Sequence, residues 1–303
     1  MHDSAIKSRS FKSLLPLQSS LIAAVLGATT LMSGGVAFAQ SDVEQPAPSP
    51  EVIEPAAETA PRVQVPEDVA KTLAAMDSAA TDQQLKRLLR FYSSEFTHSD
   101  GLTRQSLRTV VKAFWDEHQD LNYKTDVLAW EADPKGGGIA TTQTTITGLR
   151  SVEDQEMKLT ATIQSRQRWR DDQMLEQTII AEQSQLTSGE NPPAITVNLP
   201  EQVKVGGTFN FDVVVDEPLD KRLLLGTAIE EEISPERYLK QPNLKLELLP
   251  AGGLFKVGKA PKKPTSEWIS AVLVQDGGMV VISRRLTVVK QTADTKQSLL
   301  LTP

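Results

Sequence analysis

The sequence predicts an α+β protein, with a helical segment first, antiparallel strands next and a second, all-β segment last. Three observations carry this prediction. Apolar residues recur at helical spacing from residue 66 to about residue 118. From residue 120 onward the apolar period falls to two and β-branched residues become frequent. A run containing Ser, Gly and Pro at 187–193 separates two groups of strands, which predicts a domain boundary.

Residues 1–39 have the pattern of a secretory signal peptide. Basic residues precede an apolar run at 21–32, and small residues lead to Ala39. The alternative is a retained membrane anchor, but Thr29, Thr30 and the Ser-Gly-Gly run at 33–35 interrupt the apolar stretch. We therefore expect cleavage after Ala39 and no membrane span after it. The expected location is the periplasm, or a thylakoid lumen if the source is photosynthetic.

Both ends of the mature chain are predicted to lack packed structure. Residues 40–65 contain five prolines and five acidic residues, so they cannot bury enough apolar surface to offset the entropy of ordering. We interpret them as a disordered acidic linker. Residues 291–303 show no periodicity and are predicted to be a C-terminal tail.

Three helices are predicted after Pro66, which lies where a helix tolerates proline. The first has an apolar stripe of Val69, Leu73, Met76 and Ala80. The second begins at a capping signal, Thr81, and its stripe is Leu85, Leu88, Leu89, Tyr92 and Phe96. The third is capped by Thr103, and its stripe is Leu107, Val110, Val111, Phe114 and His118.

Two groups of strands follow. The first group is predicted at 123–131, 139–148, 157–170 and 173–185, which together with the helices gives a domain at 66–188. The second is predicted at 194–199, 208–216, 222–232, 244–249, 254–259, 267–275 and 279–289. Seven short strands joined by Gly and Pro turns favour a β-sandwich at 193–290, with a small barrel as the alternative.

The first domain resembles a known superfamily. The similar features are the run 85–96, the Asp100-Gly101 turn, the helix ending Phe114-Trp115, Trp130-Glu131 before a glycine turn, and Arg168-Trp169-Arg170. In order and spacing they resemble the cone-shaped family that includes nuclear transport factor 2, steroid delta-isomerase, scytalone dehydratase and SnoaL-like polyketide cyclases. The second domain resembles immunoglobulin-like sandwiches in architecture only.

The superfamily resemblance implies three helices packed on a curved antiparallel sheet, forming a cone whose mouth can hold a small molecule. It implies no single activity, because the same cone serves isomerases, dehydratases, cyclases, adaptors and dimerisation modules. The tyrosine, aspartate and histidine sets of the family's enzymes do not map onto this chain residue by residue. This absence of a match favours a protein that is not an enzyme.

Composition excludes several classes of function. The chain of 303 residues has no cysteine, so a thiolate nucleophile, a cysteine zinc site and a disulfide framework are excluded. The formal net charge of -7 gives no basic footprint for nucleic acid. After signal cleavage the histidines are His98 and His118, which do not have metal-ligand spacing. We predict no cofactor, no metal and no nucleic-acid partner.

The candidate site residues all lie in the first domain. His98 lies near Asp100, where a carboxylate can orient an imidazole for acid–base work, although a Ser-Asp-Gly turn explains Asp100 equally well. The pocket-lining candidates are Tyr92, His98, Asp100, Trp115, Tyr123 and Trp130. The alternative for the aromatic members is that they fill the core between helices and sheet. No residue is predicted to be catalytic.

Two functions remain. The favoured one is an exported, non-enzymatic interaction or assembly protein that binds a protein partner or forms a homodimer through the open sheet face of the cone. The alternative is a small-molecule-binding or isomerase/dehydratase-like protein that takes a small apolar ligand into the cone.

Overall fold

A computed structural model of the chain describes residues 65–152, 155–219, 222–240, 242, 244–249 and 252–290. The predicted signal peptide, nearly all of the predicted linker and the predicted C-terminal tail lie outside these ranges. In the described part of the chain, no helix is both long and apolar enough to span a membrane.

Two of the three predicted helices are confirmed. Helix α1 (Glu67–Thr81) buries Leu73 and Met76, and acidic residues in its first turn favour the positive end of the helix dipole. Helix α3 (Arg104–Glu117) begins with a capping box. In this box the Thr103 backbone N–H donates to Ser106 Oγ at 2.8 Å and the Ser106 N–H donates to Thr103 Oγ1 at 3.3 Å.

The prediction of the second helix was wrong beyond its first turn. Helix α2 covers only Leu85–Leu88, a short 3-10 turn follows, and the chain becomes strand β1 (Tyr92–His98). Tyr92 and Phe96 are buried as their spacing requires, but they lie on a strand that pairs in parallel with a later one. That strand edge supplies hydrogen bonds to β1, and tertiary pairing of this kind overrides local helical spacing.

The remaining strands occupy most of the rest of the chain. They are β2 (Gln119–Ala132), β3 (Gly138–Val152), β4 (Gln155–Arg170), β5 (Gln173–Gly189), β6 (Ile195–Asn198), β7 (Gln202–Lys204), β8 (Thr208–Val215), β9 (Leu225–Glu232), β10 (Glu247–Leu248), β11 (Gly253–Lys259), β12 (Thr265–Gln275) and β13 (Gly278–Val289). The described fold is therefore mostly antiparallel sheet with few helices.

A single ten-stranded sheet runs through both halves of the chain. Its main order is β10-β9-β12-β13-β5-β4-β3-β2, with β1 and β7 paired to β5 and β13. One edge of β5 is shared, because its first part pairs with β1 and its last part with β13. Backbone hydrogen bonds therefore join the ranges 66–188 and 193–290.

Glycines allow the close approach where the two halves meet. A Cβ at Gly189 would lie 2.2 Å from the carbonyl oxygen of Gly277, and one at Gly278 would lie 2.4 Å from that of Ser188. Gly189 and Gly277 also have positive φ values of 95° and 101°, which L side chains rarely adopt. The end of β5 and the β12–β13 turn can therefore lie in contact.

The second half does not form a pair of sheets of its own. A three-stranded sheet, β11-β8-β6, packs on one face of the ten-stranded sheet. The buried residues between these layers include Phe211, Val213, Ile269, Leu273 and Ile282. The predicted strands exist, but one layer of the expected sandwich is the far end of the sheet that begins in the first half.

Candidate functional site

A cluster of buried polar and aromatic side chains lies where the two halves meet. This junction cluster consists of His98, Asp100, Glu182, Tyr238, Trp268 and Arg285. His98 ends β1, and Asp100 lies in the turn that follows. Glu182 and Arg285 come from β5 and β13, at the point where the edge of β5 changes its partner from β1 to β13.

Arg285 is the centre of the junction cluster. Its Nη1 donates to Asp100 Oδ1 at 3.0 Å and its Nη2 to Asp100 Oδ2 at 2.7 Å, which is bidentate geometry. Its Nε and Nη2 also donate to Glu182 Oε2 at 3.2 and 2.9 Å. The three side chains are between 1% and 4% exposed. One guanidinium from the second half therefore binds two carboxyl groups from the first.

Two aromatic donors complete the cluster. The Tyr238 hydroxyl donates to Asp100 Oδ2 at 2.5 Å, and Trp268 Nε1 donates to Glu182 Oε2 at 3.2 Å. The two rings meet edge to face with centroids 4.9 Å apart. Each buried carboxyl group therefore has both a cationic and a neutral donor.

The pKa values of the two carboxyl groups shift in opposite directions. Burial alone would raise the pKa of Asp100, but hydrogen bonds and charge from Arg285 lower it below its usual value. Burial raises the pKa of Glu182, and Arg285 opposes that shift only in part. For Arg285, burial is outweighed by the two carboxyl groups, so its pKa lies above the usual value. Both shifts favour the charged forms of Asp100 and Arg285, so these two side chains form the ion pair of the cluster.

His98 does not form an acid–base dyad with Asp100. The backbone N–H of Asp100 donates to His98 Nδ1 at 3.1 Å, whereas the carboxylate Oδ2 lies 3.8 Å from that nitrogen and is held by Arg285 and Tyr238. Burial lowers the pKa of His98 to about 4. The ring is neutral at pH 7 and shielded from solvent, and its hydrogen bond from Asp100 N–H closes the turn that follows β1.

The four aromatic candidates occupy two places. Tyr92 is buried against Phe96 with ring centroids 4.9 Å apart. Trp115 Nε1 donates to the Tyr123 hydroxyl at 3.0 Å, and both side chains are buried. Trp130, the fourth, lines a cleft. The structure thus places three of these aromatic residues in the core and does not bring the six candidates into one pocket.

The cleft beside Trp130 lies between the start of α1 and the ends of the β2–β3 and β4–β5 hairpins, and its volume is about 310 Å³. Trp130 packs directly over Gly138, where a Cβ would lie 2.0 Å from the indole ring. Trp169, Val69 and Thr72 also line the cleft. Carboxylates at its rim are Asp68, Asp171 and Asp172.

Sequence reasoning missed a buried acid, Asp77 of α1. Its Oδ2 accepts from the Thr125 N–H at 3.3 Å, while Oδ1 is buried without a partner among the described residues. Burial raises the pKa of Asp77 to about 8. The signal was present in the sequence, because Asp77 follows Leu73 by four residues and so lies on the predicted apolar stripe.

The other omissions were Glu182, Tyr238 and Arg285, which are far apart in sequence. Strand alternation marks an inward face but does not say which partner lies there. Among the described residues, no three His, Cys, Asp or Glu side chains are grouped so that they could hold a metal ion.

Comparison with known proteins gives one family match. Residues 190–289 match the family described as "Domain of unknown function (DUF8623)". The matched range covers β6 to β13, which is the second half of the described fold. No curated protein gives a significant match.

Part of the chain is similar to solved structures with ketosteroid isomerase-like and polyketide cyclase folds. One is a hypothetical protein with a ketosteroid isomerase-like fold from Catenulispora acidiphila, in complex with trimethylamine. It is 10% identical over 36% of this chain and 83% of that chain, with a TM-score of 0.29. The other is a putative polyketide cyclase from Bacillus cereus, 10% identical over 37% and 74% of the two chains, with a TM-score of 0.28.

Proposed function

We propose that this chain is an exported, non-enzymatic interaction protein that forms a homodimer through the open face of the sheet in its first half. The open face is the side of β3, β4 and β5 that points away from α1 and α3. Its members are Thr141, Gln143, Thr145, Thr160, Thr162, Gln164, Arg166, Gln183 and Gln185, none of which is buried. The centre of this face, where rows of at least partly exposed Thr and Gln lie between the charged ends marked by Lys158, Arg166 and Arg168 of β4, is the observation that carries the proposal.

The chemistry of the open face suits a second copy of itself. Hydroxyl and amide side chains both donate and accept hydrogen bonds, so an identical surface can satisfy them across a two-fold axis. Within the face, Gln164 Nε2 already donates to Gln143 Oε1 at 3.0 Å. Interfaces are depleted in Lys, Glu and Asp, and these rows of Thr and Gln follow that composition.

Hollows at the border of the open face give it shape. Two of them, of about 140 and 350 Å³, share Thr162, Gln183 and Arg284. They lie between β4, β5 and β13 on one side and residues around β6 on the other. A stable interface needs roughly 800 Å² from each partner with close packing, and such hollows let side chains of a partner interlock.

The non-enzymatic part of the proposal is supported by the junction cluster. The candidate acid–base pair, His98 and Asp100, is buried, and the carboxylate is already bound to Arg285. A general base must reach a substrate proton within hydrogen-bond distance. This geometry favours a structural role for the pair.

Native mass spectrometry of the chain purified from its exported compartment tests this proposal. We expect a bare dimer of chains that begin at Gln40, the residue after the predicted cleavage site. Thr162→Arg places a charge at the centre of the open face and should give monomers. Thr109→Arg, on the exposed face of α3, is the matched control and should remain dimeric. A wild-type monomer at high micromolar concentration contradicts the homodimer.

A second candidate function is favoured by the cleft beside Trp130. A volume of about 310 Å³ lined by Trp130 and Trp169 lies at the lower end of the range for small-molecule sites. In that case the chain binds a small apolar ligand in this cleft. The same native spectrum then shows a monomer with a few hundred additional daltons, on the order of a small ligand, and Trp130→Ala removes that mass.

A further inference from the structure

Strand β11 forms an edge of the three-stranded sheet. It pairs with β8 along its whole length, from Gly253 opposite Val214 to Lys259 opposite Thr208. Within the described part of the chain, its other side has no strand partner. Such an edge is a template for pairing with another chain.

The backbone of β11 shows which residues face the free side. Two bonds just beyond the strand set the alternation: Val215 N donates to Gly252 O at 3.0 Å, and Ala260 N donates to Gly207 O at 2.8 Å. In an antiparallel ladder every second residue bonds the same neighbour. The even-numbered residues of β11 therefore bond β8, while Phe255 and Val257 direct their N–H and C=O groups to the free side.

The side chains of those two residues are unusually exposed. Phe255 is 58% and Val257 is 71% exposed, and both lie on the outer face of the small sheet. Val214 of β8 lies on the same face and is 37% exposed. A free backbone edge and exposed apolar side chains therefore coincide on one strand, which is the combination used in strand addition.

Charge at one end of β11 identifies the kind of partner. Lys259, Lys262 and Lys263 are exposed and form no ion pair with the described residues. By contrast, Lys256 points to the inner face, where its Nζ lies 2.9 Å from Glu230 Oε1. Lys259 lies on the same outer face as Phe255 and Val257, because all three positions are odd-numbered. The free edge therefore combines apolar contacts with three unpaired positive charges.

We propose that β11 is a docking strand that accepts an extended, acidic and apolar segment of a partner protein as a fourth strand of the small sheet. The segment bonds the free edge through its backbone, places apolar side chains against Phe255 and Val257, and places its carboxylates near the lysines. This surface is separate from the open face, so strand docking on β11 and dimerisation through the open face can be tested independently.

The test measures binding of a fluorescein-labelled eight-residue peptide to the full chain by fluorescence anisotropy. Every second residue of the peptide is valine or, at one end, glutamate, so that both residue types share the outer face with Phe255, Val257 and Lys259, and threonine fills the positions between. Val257→Pro removes an outward N–H without removing a bond to β8, and should weaken binding at least about tenfold. Phe255→Glu should weaken it similarly through lost apolar contact and charge repulsion. Leu223→Glu, at an exposed apolar residue outside the small sheet, is the matched control for Phe255→Glu and should bind as wild type.

Two control peptides separate the contributions. Lysine in place of glutamate should weaken binding about tenfold at low salt, and the difference should shrink at high salt because screening weakens the charge term. Methylation of alternate backbone nitrogens should abolish binding. Thr162→Arg should leave peptide binding unchanged, whatever it does to dimerisation.

Three outcomes overturn the proposal. The first is no binding of the peptide to the wild-type chain. The second is equal binding by wild type and by both β11 variants, with melting curves that show each variant is folded. The third is a loss of dimer on Val257→Pro without peptide binding, which would assign the edge to a second copy of the chain.

Discussion

Two buried polar regions of this molecule are built differently. In the junction cluster, Asp100 and Glu182 each receive a cationic and a neutral donor, and Arg285 binds both. In the interior of the first half, Asp77 receives one backbone hydrogen bond at 3.3 Å, and its Oδ1 has no partner within the described part of the chain. Burial is nearly the same for Asp77 and Asp100, so the number of partners makes the difference.

The comparison shows how partners decide the state of a buried acid. Asp100 keeps its charge because Arg285 offsets the cost of burial, and its pKa falls. Burial raises the pKa of Asp77 to about 8, the Thr125 N–H and the charge of Lys124 offset only part of that shift, and the acid is neutral at pH 7. The hydrogen bonds of the junction cluster connect the two halves of the chain, whereas the Asp77 carboxyl group is buried with only part of its hydrogen-bonding capacity satisfied.

The largest loss of stability is expected from Arg285→Leu. This change leaves two buried carboxyl groups without their cation, which typically costs about 3–5 kcal/mol. The neighbouring Arg284→Leu is the matched control, since Arg284 is only half-buried and binds a single carbonyl at 3.4 Å. Urea unfolding measures both free energies. Equal losses for the two variants would show that the junction cluster contributes no special stability.

A smaller effect is expected from a matched pair of tyrosines. Tyr238→Phe removes the donor to Asp100 and should lower the free energy of unfolding by about 1–3 kcal/mol. Tyr92→Phe removes a buried hydroxyl that has no partner among the described residues, so it should be neutral or stabilising. Thermal and urea unfolding of both variants check this contrast. A greater loss of unfolding free energy for Tyr92→Phe than for Tyr238→Phe would contradict this prediction.

A change of a different kind, a stability that depends on pH, is expected from Asp77. Because its folded pKa of about 8 exceeds the unfolded value of 3.8, the folded state binds more protons between those limits. Its stabilising contribution is therefore full at low pH and is lost as pH rises to about 8. Asp77→Asn should gain stability relative to wild type over this range, with no further change above it. Urea unfolding at several pH values measures the difference, and a constant difference would contradict it.

Local elements were predictable where sequence and tertiary structure agree. Thr103 with Ser106 caps α3, and the stripe Leu107 to Phe114 is buried as its spacing requires. The strand segments were also predictable from alternation, with bounds that differ by a few residues. The alternation of Trp130 and Glu131 is observed, since Trp130 lines the cleft while Glu131 lies 3.6 Å from Arg166 on the other face.

What could not be predicted depends on contacts between distant residues. Tyr92 and Phe96 fit a helix by spacing, but the free edge of β5 made them a strand. The junction cluster joins residues separated by up to 185 positions, and no local pattern pairs Asp100 with Arg285. The continuity of one sheet through both halves has the same origin, because β13 pairs with β5 although the strands of the small sheet lie between them in the sequence.

The most direct test of this account is native-state hydrogen exchange, read separately for β4 in the first half and for β12 in the second. Strands of one sheet joined through β5 and β13 should open together, so we predict equal free energies of opening that match global unfolding. The predicted domains 66–188 and 193–290 would behave differently if they were independent. A much lower free energy of opening for β12, with β4 still protected, would contradict the claim that the shared sheet and the junction cluster make the two halves one unit.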